Sequence, residues 1–206
     1  IDITAQTGNF TQGSDVLYKT IDGDITLTAL GGNVTLANTQ SSTGAFNVTA
    51  GGNILQLGAT AITADTINAL TRLDAAGDIT LTEAGNDVNN IRLRALNTAG
   101  DTSVAGAIIY QDVDGFAIQE ILTTENVTLT AHGDITADTA GGMPGTVTAD
   151  LLTIKTLLDN GAGVALDNAN DVNSLNIKVR NTADTAIAGE TATPTGTIRF
   201  TDSDGF

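Results

Sequence analysis

A chain of 206 residues with 24 acidic against eight basic side chains carries a formal charge of −16, which argues against nucleic acid and anionic membrane as partners. With no cysteine it has neither disulfides nor thiolate metal sites, and no apolar run reaches the roughly 18 residues of a spanning helix. Aromatic residues make up only 3% against 35 threonines and 23 glycines, a composition that favours strands and tight turns over helices.

The first predicted strand follows Gly23-Asp24 and reads Ile25-Thr-Leu-Thr. Alternation at period two places Ile25 and Leu27 on one face and Thr26 and Thr28 on the other. The phrase returns as Gly32-Asn-Val-Thr-Leu, Gly52-Asn-Ile-Leu, Gly77-Asp-Ile-Thr-Leu-Thr and Gly133-Asp-Ile-Thr. Two relatives without the glycine stand at Asn47-Val-Thr and Asn126-Val-Thr-Leu-Thr. Each reads as a turn that opens a short, half-buried strand.

Between the last two phrases lies Tyr110-Gln-Asp-Val-Asp-Gly-Phe116, whose Asp112 and Asp114 resemble the start of a calcium loop. An EF-hand loop needs Gly at its sixth position and Glu at its twelfth. Counted from Asp112, Gly115 falls at the fourth position and Thr123 at the twelfth. The expected structure is an Asp-stabilised turn after the strand Ile108–Tyr110, with Phe116 packed inward. Gly31-Gly-Asn-Val also lacks the third glycine and the aspartate of a β-roll calcium repeat. His132 is expected in a surface turn, with no recognised partner for catalysis. No catalytic, cofactor-binding or metal residue is identified, and no enzyme activity is expected.

A longer repeat overlies the short phrases. Ile62-Thr-Ala-Asp returns as Val147-Thr-Ala-Asp, Asn86-Asp-Val-Asn as Asn170-Asp-Val-Asn, Asn97-Thr-Ala as Asn181-Thr-Ala, and Asp114-Gly-Phe as Asp204-Gly-Phe. The offsets are 85, 84, 84 and 90, the last lengthened by extra residues after Gly189 that include Thr191-Ala-Thr-Pro-Thr. Two copies thus cover roughly 46–116 and 125–206. A quarter of the period, about 21 residues, suits one coil of a β-solenoid, in which stacked coils share one apolar interior. The expectation is a single all-β segment over 1–206, a parallel β-helix of about nine or ten coils and about 45 Å in length. A tandem of small β-sandwiches is the competing architecture. The chain starts at Ile1 without a signal peptide, as a piece of a larger protein would.

Thr80-Leu-Thr-Glu-Ala-Gly-Asn-Asp-Val-Asn-Asn-Ile-Arg-Leu, together with GDITLT and GGNVTLA, resembles the repeat region of filamentous-haemagglutinin-type exoproteins, large adhesins of two-partner secretion. That resemblance implies a right-handed β-helix, a secreted or bacterial cell-surface location, and a non-catalytic shaft. The implied partner is a receptor or glycan on a host or neighbouring cell, or other copies of the chain. A module of a self-assembling extracellular layer or filament is the alternative, and a polysaccharide-active β-helix a distant one.

Three further features belong to the expected surface. Arg92 and Arg94 alternate on one strand, and the aligned strand carries Asn176, Lys178 and Arg180, a contact for an anionic glycan or an acidic rod or else a solvated face. The Thr-x-Thr trio at Thr26/Thr28, Thr80/Thr82 and Thr128/Thr130 recurs too rarely for ice binding. The sequons at Asn9, Asn33, Asn47 and Asn126 are expected by chance in an Asn/Thr-rich chain.

Overall fold

The computed structural model describes residues 1–185 and 196–205. The extra segment Thr191–Thr195 and Phe206 lie outside the described residues. Among the described residues, seventeen strands, paired with one another in parallel, and one 3-10 turn at Ala140–Gly142 make up the regular structure. The chain is therefore a β-solenoid.

Its first half has three faces. The first stacks β1 (Asp2–Ala5), β4 (Ile25–Ala29) and the second halves of β6 (Thr39–Ala50) and β8 (Ile62–Arg72), then most of β10 (Asp87–Leu96). The second stacks β2 (Phe10–Thr11), β5 (Val34–Leu36), β7 (Ile54–Gln56), β9 (Ile79–Leu81), β11 (Ile108–Asp112) and β13 (Val127–Ala131). It continues through the second half of β15 (Thr146–Leu157) and the later part of β16 (Val164–Arg180). The third stacks β3 (Tyr18–Thr20) with the first halves of β6 and β8 and the start of β10. Beyond β10 the bulged strand β12 (Phe116–Leu122) carries two ladders. Its start meets β14 (Ile135–Ala137), followed by the start of β16 and β17 (Ile198–Asp202). Its end meets the start of β15.

Alternation decides which residues fill the interior. In β4, Ile25, Leu27 and Ala29 have no exposed surface while Thr26 and Thr28 face outward. Stacking then aligns the inward positions. On the second face Phe10, Val34, Ile54, Ile79, Ile108, Val127, Leu152 and Leu175 form one unbroken column. Such a column hides apolar surface that a single coil would leave in water, roughly 1.5–3 kcal/mol for each fully buried Val, Leu or Ile.

The turns are stacked as well. Asn9 Oδ1 accepts from Asn33 N, Asn33 Oδ1 from Asn53 N, Asn53 Oδ1 from Asp78 N, and Asp78 Oδ1 from Ala107 N, all at 2.8–2.9 Å. The Gly-Asn phrase has a steric reason. A Cβ on Gly52 would collide with the Asn33 carboxamide oxygen, and one on Gly32 with that of Asn9. Glycine lets the side chain below reach the backbone above.

The second-face column contains eight strands and therefore seven steps, so the rod has about seven turns rather than nine or ten. At about 4.8 Å per coil it measures roughly 34 Å. The physical reason for the shortfall is a rotation between the long copies. Leu152 is the counterpart of Ile67, but Ile67 lies on the first face and Leu152 on the second. From Ile67 to Ile79 is one side of a coil, and from Ile79 through Ile108 and Val127 to Leu152 is three full coils. The repeat thus spans three coils and one side, about 25 residues per coil, and the second copy is turned by one face about the axis.

Candidate functional site

Asp112, the first aspartate of the DVDG turn, ends β11 and has no exposed surface. Its Oδ2 accepts from Val88 N of the preceding coil at 3.1 Å and from the Tyr110 hydroxyl at 2.6 Å, while Oδ1 accepts from Asp114 N at 3.1 Å. Phe116 packs inward, edge-on to Tyr110 with ring centroids 5.1 Å apart. Burial pushes the Asp112 carboxyl up to about 7, against the hydrogen bonds from Tyr110, Asp114 and Val88 that favour its charged form. Burial and the neighbouring Asp112 charge hold the Tyr110 phenol well above its usual value.

The second copy repeats the clamp. Asp202 Oδ2 accepts from Val172 N at 3.2 Å, and Oδ1 from Gly205 N at 2.9 Å and Asp204 N at 3.3 Å. Phe200 stands in the place of Tyr110 and offers this carboxylate no hydroxyl. Burial pulls the Asp202 carboxyl upward, but the backbone N–H groups of Gly205, Val172 and Asp204 outweigh it and leave it below the usual range. Both aspartates tie a turn to the coil beneath it. Among the described residues no three His, Asp or Glu side chains gather as a metal ligand set.

The basic strands do not come together. Arg92 and Arg94 lie on β10 on the first face, whereas Asn176 and Lys178 lie on the part of β16 that continues the second. The rotation between copies therefore puts these two corresponding strands on different faces. Each cluster has its own acid. Arg92 reaches Glu120 at 2.8 Å, with Arg94 3.7 Å from the same oxygen. Lys155 and Arg180 both meet Asp184, at 3.0 and 3.1 Å. Sequence reading missed Glu120 and Asp184 as partners. Glu120 sits after the register shift of β12, which no periodic pattern signals.

The remaining candidates are dispersed. His132 is half-buried in the bend after β13. Thr26 and Thr28 belong to the first face, Thr80 and Thr128 to the second, where Ile109 stands between them. Asn9 and Asn33 spend their side-chain oxygens on the coil above. No family model matches the chain, and neither a curated protein nor a solved structure is detectably similar to it.

Proposed function

We propose that this chain is part of the non-catalytic shaft of a secreted bacterial surface adhesin, of the filamentous-haemagglutinin type that its repeat phrases resemble. Its role is to carry and space an adhesive contact with a receptor or glycan on another cell. The supporting observation is the unbroken eight-strand column from Phe10 to Leu175. A rod held by backbone ladders and a continuous aliphatic interior resists bending and transmits force along its length. Its outward positions are largely Thr, Asn and Asp, which keep it hydrated. The Asn and Asp side chains most suggestive of chemistry are occupied by contacts between coils. Gold-labelled antibodies against residues 1–206 test the reading on intact producing cells. Label on the outer surface supports it; label found only inside permeabilised cells overturns it.

A further inference from the structure

Arg92 and Arg94 leave β10 on the same outward side, and β12 answers both with one carboxylate. Glu120 Oε2 accepts a hydrogen bond from Arg92 Nε at 2.8 Å and forms an ion pair with Arg92 Nη2 at the same distance. The same oxygen lies 3.7 Å from Arg94 Nε, beyond hydrogen-bonding distance. That nitrogen is the sole buried side-chain polar atom among the described residues without a hydrogen-bond partner.

The surroundings make this costly. Arg94 is flanked in its ladder by Leu70 below and Leu122 above. Burial and the adjacent Arg92 charge lower its pKa, and Glu120 offsets only part of this. A desolvated cation without a full counter-charge is an expensive arrangement. Yet 21% of the Arg94 side chain remains in solvent, and of its three guanidinium nitrogens only Nε is buried without a partner, so an incoming group can reach the terminal nitrogens. Two cations against one anion also give a local positive excess on a chain of net charge −16.

We infer that Arg92 and Arg94 form a receptor site for one external oxyanion group, the carboxylate of an acidic sugar. A guanidinium fork matches a carboxylate in shape and charge. The chain's overall negative field repels polyanions, so the site takes a singly charged group. The sugar as carrier rests on the cell-surface reading; the anion site does not.

The test is a titration of the intact 15N-labelled chain, following the arginine Nε–Hε resonances. Glucuronate, acetate and glucose are the probes. Glucuronate and acetate are expected to shift the Arg94 resonance saturably, and glucose is not. Arg94→Gln weakens binding at least about tenfold, the loss of one charge-assisted hydrogen bond. Glu120→Gln removes the internal competitor and tightens binding. Glucuronate bound more tightly than acetate assigns the sugar; equal affinities assign the site to free carboxylates. No saturable shift, or affinities that Arg94→Gln and Glu120→Gln leave unchanged, overturns the site, and neither result bears on the surface labelling.

Discussion

Asn86 and Asn170, 84 positions apart, make matching hydrogen bonds at equivalent positions of the two long copies. Each is fully buried. Asn86 Oδ1 accepts from Ile62 N at 3.0 Å, and Asn170 Oδ1 from Val147 N at 2.9 Å. The Nδ2 groups donate to Gln111 O and Thr201 O, again counterparts. Their own carbonyls accept from Val113 N and Ser203 N, both at 2.7 Å. A single amide thus closes a corner in both copies, although the two corners face different directions.

Removing that amide leaves several buried backbone groups unpaired. Asn86→Ala is expected to cost about 3 kcal/mol or more, and Asn170→Ala a similar amount. Asn173→Ala, which removes an exposed bond to Asp150, costs less than about 1 kcal/mol. Urea unfolding of the three variants checks the ranking. Equal small losses would mean that the amides are not structural.

Facing within β9 is tested by a pair of charges. Ile79 is fully buried between Ile54 and Ile108, and Thr80 points outward. Ile79→Asp buries an unpaired carboxylate between coils and costs several kcal/mol. Thr80→Asp keeps its charge in water and costs roughly 1 kcal/mol or less. Melting temperatures measured side by side decide the matter. Greater damage from Thr80→Asp would shift the register by one residue.

Alternation made this part of the fold legible, because period two in Ile25-Thr-Leu-Thr or Ile79-Thr-Leu has one sensible burial. The coil count was not legible. The same Gly-Asp-Ile-Thr phrase opens β4 on the first face and β9 on the second, so its recurrence does not mark a full turn. Coil length depends on corner residues, and 29 residues separate Ile79 from Ile108 where 19 separate Ile108 from Val127. The Asp112 turn was readable from its residue types. Its burial was not, since that depends on Val88 of the preceding coil meeting it, beside Tyr110 of its own strand.

Asp112 also gives the rod a pH dependence. Its folded pKa of about 7 lies above the ordinary 3.8, so the native state retains a proton that the unfolded chain releases. The resulting stability is complete below the unfolded value and is lost as pH rises through about 7. Asp74 and Asp184, held low by hydrogen bonds from Thr98 and Lys155, act oppositely, and their contribution is lost as pH falls toward their folded values. Between about pH 5 and pH 8 the melting temperature is therefore expected to fall, and Asp112→Asn to flatten the slope. An unchanged slope in that variant would assign the effect elsewhere.

Divalent ions are expected to matter little. The Asp112 carboxylate already accepts three hydrogen bonds, and so does that of Asp202. Chelator should leave the melting temperature nearly unchanged. A stabilisation of several kcal/mol from millimolar calcium, as tight linked binding produces, would show that these turns hold an ion.

The rotation between the two copies can be tested with cysteine pairs, since the chain contains no cysteine of its own. Thr128 on β13 and Thr153 on β15 are ladder neighbours on the second face. Their Cα atoms lie about 4.8 Å apart, within the range a disulfide spans. Had the copies stacked without rotation, Thr153 would follow its counterpart Asn68 onto the first face, where Arg92 and Glu120 stand. Mild oxidation is expected to join Thr128→Cys to Thr153→Cys and to leave a Glu120→Cys/Thr153→Cys pair reduced. A disulfide in the second pair and none in the first would contradict the rotated solenoid.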